Sequence, residues 1–265
     1  MHAAKLPTGI VYLVGAGPGS ADLLTIRALR LLERADVIVH DRLVSDEILA
    51  LANPAAKRIY VGKRRADHCL GQDQINALLV RLAHGHGCVV RLKGGDPFIF
   101  GRGGEEAEAL GEAGIEVQIV PGVTAALACA AQAGIPLTHR GVSRSVTFVT
   151  GHTKDGVLDV DFPGLAHSLA APGGATVAVY MGIVTLPALA AGLAAHGLDP
   201  ATPAALIERG GTDRQRELRG TLVELARQAQ AWTDGGPALL IIGEVVGQFA
   251  GRILCAGEIA ERRSY

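Results

Sequence analysis

Charged residues in this chain recur just after short apolar runs, and glycines surround many of them. His40-Asp41-Arg42 follows Val37–Val39, Lys63-Arg64-Arg65 follows Arg58–Val61, and residues 91–106, RLKGGDPFIFGRGGEE, follow from Cys88–Leu92. If those runs are strands of an open α/β sheet, the residues beyond their carboxyl ends are where a ligand sits. Asp41 there is a ribose ligand, a general base, an anchor for Arg42, or only half of a surface ion pair. Lys63-Arg64-Arg65 is a solvated face or a clamp for acidic groups, since guanidinium binds carboxylate bidentately.

The stretch 91–106 is the most informative. Glu105 and Glu106 suit the first turn of a helix, where the macrodipole favours negative charge. Five glycines in so short a span sacrifice chain entropy and core area. Close approach of backbone to a flat or extended ligand explains them, with Arg102 reaching into the cleft. Gly15-Ala16-Gly17-Pro18-Gly19 is a second glycine turn, between a strand and a helix. A dinucleotide fingerprint needs its third glycine at position 20, which is Ser20, and Pro18 removes a backbone donor. A tight connection and a ligand-approach turn both remain open. In Pro121-Gly122-Val123-Thr124-Ala125, Thr124 caps a helix or bonds a ligand. Thr138-His139-Arg140, with Arg144 nearby, adds positive charge, and His139 reads as an ordinary polar residue. His84-Gly85-His86 lacks carboxylate or cysteine partners, so no metal site is expected.

The elements that position these residues alternate between two periodicities. Strands are expected at Ile10–Val14, Val37–Val39, Arg58–Val61, Cys88–Leu92 and Val117–Val120, then at Val146–Thr150, Thr176–Tyr180, Ala204–Glu208 and Ala238–Ile242. Between them, helical spacing covers 24–35, capped by Ser20 or Asp22, and Asp73–Ala83, Glu105–Glu112, Thr124–Ala133, Leu186–His196 and Leu222–Gln230. Lys154–Gly174, rich in Gly, Pro and Asp, reads as a long loop. Strand-then-helix repetition predicts a mostly parallel sheet with right-handed crossovers. The preferred organisation is two α/β lobes, residues 1–140 and 141–255, with a polar tail at 256–265; one continuous sheet is the alternative.

Composition bounds the function. Of 265 residues 49% are hydrophobic and only 4% aromatic, so aliphatic side chains do the packing, as in sheets covered on both faces. A formal net charge of −1 gives no general field for a nucleic-acid backbone. Cys69, Cys88, Cys129 and Cys255 show no ligand spacing; Cys88 and Cys129 read as small core residues, and the set suits a reducing compartment. Neither a signal peptide nor a membrane span is evident, so a cytoplasmic protein is expected.

Taken in order, VGAGPG (14–19), DRLVSDE (41–47), VGKR (61–64), VRLKGGDPFIFGRGGEE (90–106), VPGVTAA (120–126), AGIPLTHR (133–140), FVTGH (148–152), YMG (180–182) and IERGGT (207–212) resemble the uroporphyrinogen-III C-methyltransferase family of tetrapyrrole methylases. The resemblance covers about residues 10 to 250. It departs at Arg65 and Cys69, where smaller or hydroxyl residues are usual, and in the variable region Lys154–Gly174. It implies S-adenosylmethionine (SAM) as methyl donor, released as S-adenosylhomocysteine, bound in a cleft between the two α/β lobes of a homodimer. It carries SAM contacts to Pro18, Gly94, Gly95, Asp96, Ile99, Thr124, Ala125, Met181 and Gly210. It makes Asp41 and Lys63 acid/base candidates and puts Arg102, Glu105 and Arg140 near the tetrapyrrole. The implied reaction methylates uroporphyrinogen III at C-2 and C-7, giving precorrin-2 for sirohaem, cobalamin or haem d1. At this length no added dehydrogenase–chelatase module is expected. The alternatives are another precorrin methyltransferase of this fold, or a tetrapyrrole carrier or nucleotide-binding regulator without catalysis.

Overall fold

A computed structural model describes residues 8–62, 70–154 and 157–248. Lys63, Arg64, Arg65, Cys69 and Cys255 therefore lie outside the described residues. The chain divides into two units at Thr124/Ala125, earlier than the expected boundary near residue 140.

In the first unit the short Val/Ile/Leu runs become β1 (Ile10–Gly15), β2 (Val37–His40), β3 (Lys57–Tyr60), β4 (Cys88–Lys93) and β5 (Val117–Val120). They form one sheet, β3-β2-β4-β1-β5, in which every pairing is parallel. Helices α1 (Ile26–Leu32) and α2 (Asp46–Ala50) cover one face, packing on Tyr12, Val14, Ile38 and Leu92. Helices α3 (Gln72–Ala83) and α4 (Gly103–Glu112) cover the other, on Val11, Leu13, Val37 and Val39. Burial on both faces is why β1 reads as an unbroken apolar run rather than an alternation. Each fully buried leucine, such as Leu13 or Leu92, contributes about 2 kcal/mol by transfer from water.

The start of α1 corrects the sequence reading. Neither Ser20 nor Asp22 caps it: Ser20 Oγ donates to Asp22 Oδ1 at 2.5 Å within a separate 3-10 turn, and Thr25 is the cap, its hydroxyl accepting the Ala28 N–H at 3.1 Å. Thr25→Ala should cost about 1 kcal/mol in a urea melt, while Ser20→Ala should leave the midpoint within about 0.5 kcal/mol. Equal effects would contradict this cap.

The second unit holds α5 (Ala125–Gln132), β6 (Ser145–Thr150), β7 (Thr153–Lys154), β8 (Val157–Leu158), α6 (Phe162–Ala170), β9 (Ala175–Tyr180), α7 (Leu186–Ala195), β10 (Pro203–Glu208), β11 (Arg216–Thr221), α8 (Leu222–Trp232) and β12 (Ala238–Ile242). Its sheet runs β11-β10-β12-β9-β6. Only β6 and β9 pair in parallel; the other three ladders are antiparallel. The expectation of a mostly parallel sheet holds for the first unit and fails for the second. There β11 returns from β10 as a hairpin, and β12 inserts between β9 and β10 against both. Helices α6, α7 and α8 pack on one face. On the other, Ala126, Cys129 and Ala130 of α5 meet Ala178, Ala205 and Ile241, which is why the division falls before α5.

Lys154–Gly174 is not a structureless loop, for β8 and α6 lie within it and β7 ends at its first residue. Its Asp and Pro are helix-start residues: Asp161 accepts the Gly164 N–H at 3.0 Å, and a proline occupies the first turn of α6. The unpredicted β11, RELRGT, carries too many charges to read as a strand. It is an edge strand, where charge discourages pairing with other chains. No helix of the described residues is long and apolar enough to cross a membrane.

Candidate active site

The helices that follow neighbouring strands β1 and β4 lie on opposite faces of the first sheet. That is a topological switch point, where a crevice opens beyond the carboxyl ends. The loops leaving those ends are tied together. Gly17 and Gly95 exchange backbone bonds, Gly17 N–H to Gly95 O at 3.1 Å and Gly95 N–H to Gly17 O at 2.6 Å. Asp96 accepts the Phe98 N–H at 2.8 Å on one carboxylate oxygen and the Gly122 N–H at 3.0 Å on the other. Ser45 Oγ donates to Gly19 O at 2.7 Å. Pro18, Gly94, Gly95, Asp96 and Ile99 thus belong to one frame with the loops after β2 and β5.

Most glycines here fit the protein's own backbone. A Cβ on Gly15 would lie 2.5 Å from Gly122 N, and one on Gly103 2.4 Å from Pro97 O. A Cβ on Gly94 would meet Leu43 Cβ at 2.6 Å, and one on Gly101 would meet Pro97 O at 2.7 Å. Internal packing replaces ligand approach as the reason for these four, whereas Gly104 has nothing within 4 Å.

Asp41 follows β2 and turns back so that Oδ1 accepts the Leu43 N–H at 3.0 Å. Its Oδ2 lies 3.4 Å from Arg91 Nη2. Behind it stands a buried ion cluster that the sequence reading missed. Glu106 is fully buried and accepts from Arg91 Nε at 3.1 Å and from Lys93 Nζ at 3.0 Å. Its role is therefore not the first-turn dipole contact that its position suggested. The signal was the two-residue spacing of Arg91 and Lys93, which puts two cations on one face of a buried strand and calls for a buried anion. Burial pushes the Lys93 ammonium below its usual range, Arg91 adds to this, and Glu106 opposes it. Burial likewise lowers His40, whose ring meets Tyr60 edge-on at 5.6 Å.

Arg102 sits at the mouth of α4 in a left-handed conformation, φ 59°. Its side chain is exposed and forms a two-bond fork with Glu105, Nε to Oε1 at 2.8 Å and Nη2 to Oε2 at 2.7 Å. Those hydrogen bonds raise the guanidinium pKa and lower that of the Glu105 carboxyl.

In the second unit β9 and β10 both run antiparallel to β12, so their carboxyl ends share one edge of the sheet. Met181 leaves β9 in a left-handed conformation, φ 55°, with its thioether exposed. Gly210 follows the left-handed Arg209, φ 53°. Helix α5 connects the two: the Ala126 N–H donates to Tyr180 Oη at 3.1 Å, Gln132 Nε2 donates to Thr212 O at 2.9 Å, and a Cβ on Gly210 would overlap Cys129 Sγ. Burial of that thiol raises its pKa to about 12, an inert core group. Helix α5, which begins at Ala125, thus contacts Tyr180, the residue before Met181, and packs against Gly210. Thr124 is buried at the end of the first unit. Arg140 is exposed. Arg144 is not a free cation for a substrate rim, because it donates to Gly173 O at 2.8 Å and Pro172 O at 3.2 Å. All four non-glycine left-handed residues among the described ones, Phe100, Arg102, Met181 and Arg209, fall in these loops, where backbone strain is characteristic of binding sites.

The donor set suits SAM. Within the first unit, Pro18 and Ile99 offer apolar surface, and Gly94 and Gly95 offer backbone groups beside the Asp96 carboxylate. Apolar surface and backbone groups around a single carboxylate fit part of a cofactor that carries a cationic sulfonium. Among the described residues no group of three or more His, Cys, Asp or Glu could hold a metal ion.

Two parallel-to-mixed α/β sheets with such loops define a tetrapyrrole methylase. Residues 10–226 match the family model for Tetrapyrrole (Corrin/Porphyrin) Methylases, and the chain belongs to that family. It is 43% identical to the uroporphyrin-III C-methyltransferase of Thermus thermophilus, solved in complex with S-adenosyl homocysteine, at a TM-score of 0.78 over 91% of this chain and 100% of that one. It is 57% identical to the siroheme synthase of Azotobacter vinelandii over 92% of this chain and 52% of that protein, and 56% identical to that of Pseudomonas aeruginosa over 92% and 51%. The chain thus spans about half the length of the curated relatives it matches.

Proposed function

We propose that the chain is a SAM-dependent C-methyltransferase that converts uroporphyrinogen III to precorrin-2 by methylation at C-2 and C-7. The observation that carries this reading is the 43% identity across the whole of the Thermus thermophilus methyltransferase. SAM supplies a methyl group that is already electrophilic, so the chain's task is to hold, orient and shield. Pro18, Gly94, Gly95, Asp96, Ile99, Thr124, Ala125, Met181 and Gly210 hold the cofactor. The pyrrole carbon must lie about 3–3.5 Å from the methyl group, with water excluded. Methylation leaves the ring cationic until it loses a proton. Asp41, with Lys63 as the second acid/base group, stabilises that charge and serves the proton's departure. Arg102 and Arg140 bind carboxylates of the octacarboxylate substrate. Glu105 takes Nε and Nη2 of Arg102 and so orients Nη1 for such a carboxylate. The chain works as a cytoplasmic homodimer, without nucleic acid or membrane.

Anaerobic incubation with SAM and uroporphyrinogen III is the test, with a dimethylated product by mass spectrometry as the expected result. Absence of methyl transfer from active cofactor stocks would sink the reading. Arg102→Ala should raise the KM for the tetrapyrrole about tenfold or more and leave SAM affinity by calorimetry unchanged. Equal loss of both affinities would remove Arg102 from the substrate rim.

A further inference from the structure

Two buried cations on one strand face need two negative charges. Glu106 supplies one, from a position with no exposure to solvent. The second carboxylate to reach the cluster is Asp41, through Arg91. Arg91 is itself almost wholly buried, and its nitrogens are shared among four groups. Nε donates to Glu106 at 3.1 Å, Nη1 to Leu92 O at 3.1 Å and Val39 O at 3.5 Å, and Nη2 lies against Asp41 at 3.4 Å. Such a guanidinium cannot turn without breaking buried charge-assisted hydrogen bonds, so it presents one fixed nitrogen to Asp41. The Leu43 N–H fixes the other oxygen of the same carboxylate. Among the described residues of this chain of contacts Asp41 is the only partly exposed acid, and it stands just beyond the carboxyl end of β2.

We propose that Arg91 is a positioning residue for methyl transfer: anchored by the buried Glu106, its guanidinium fixes the Asp41 carboxylate in the orientation in which it acts on the tetrapyrrole. This rests on the role given to Asp41 above. Lysine in place of Arg91 keeps the charge but loses the fork that spans Glu106 and Asp41 together.

The test is a double-mutant cycle on the full chain with Asp41→Asn, Arg91→Lys and both together. Turnover is measured per SAM-binding site, titrated by calorimetry, so that only folded protein counts. Asp41→Asn is expected to lower kcat about a hundredfold. Arg91→Lys is expected to lower it about tenfold, with the KM for SAM within about twofold of the parent. The double variant is expected to be no slower than Asp41→Asn alone, because Arg91 acts only through Asp41. A further tenfold loss in the double variant, or full turnover in Arg91→Lys, overturns the role of Arg91 while leaving that of Asp41 intact. Full turnover in Asp41→Asn overturns both. If Arg91→Lys binds no SAM, Glu106→Gln carries the same cycle, since it weakens the anchor and leaves Arg91 in place; its loss of kcat must likewise vanish beside Asp41→Asn.

Discussion

Glu106→Ala is expected to destabilise the protein by about 3–5 kcal/mol, while Glu105→Ala, one residue earlier, is expected to cost less than about 1 kcal/mol. The two acids share a residue type and a helix turn but not an environment. Glu105 is half exposed and its partner Arg102 is equally so; water and salt screen that pair. Glu106 has no solvent contact and neutralises both Arg91 and Lys93. Removing it leaves two cations buried against each other, and their desolvation is then uncompensated. Urea midpoints of the two variants measure the difference. Similar midpoints would show that water reaches the cluster freely.

Gly122→Ala is the second large effect. A single added methyl would lie 2.3 Å from Gly95 O and 2.8 Å from Gly15 Cα. Those are backbone atoms of β1 and of the loop after β4, so no side chain can swing aside. The overpacking should cost about 3 kcal/mol and break the Gly122–Asp96 bond, with loss of SAM binding. Gly104→Ala is the control. Its methyl meets nothing within 4 Å, and in α4 alanine should be favoured over glycine by about 0.5–1 kcal/mol. Thermal melts with SAM titrations read both, and a Gly122→Ala variant that melts and binds like the parent would refute the tight contact.

The first sheet was legible because its strands are buried on both faces, and an aliphatic run between glycine turns has little else to be. The second sheet was harder. Edge strand β11 is half charge, and its strand character comes from pairing with β10 rather than from its own residues. Helix α6 was hidden by Asp161 and Pro163, which punctuate a loop and begin a helix equally well. At the candidate site, positions were legible and pairings were not. Asp41 directly follows β2, Asp96 lies three residues beyond β4, and Arg102 sits at the start of α4. That Asp96 spends both oxygens on backbone N–H groups, or that Arg144 serves the carbonyls before β9, depends on contacts across long stretches of chain, which no local pattern encodes. Arg91 is the clearest case. It read as part of a buried strand, and its partners lie 50 residues before it and 15 residues after it.

The strand order has a consequence for how the protein is made. Of the five strands in the first sheet β1 is translated earliest, yet its ladder partners are β4 and β5, with Ile10 opposite Cys88 and Val11 opposite Val117. β2 and β3 can pair with each other early, but β4 must slide between β2 and β1 before either half is covered. The apolar run of β1 therefore waits, unpaired, while most of the unit is translated, and loop closure over such separations is slow. A strand in that state is open to association with neighbouring chains. Completion of residue 120, rather than the folding of any local hairpin, sets the earliest moment at which the first sheet can close.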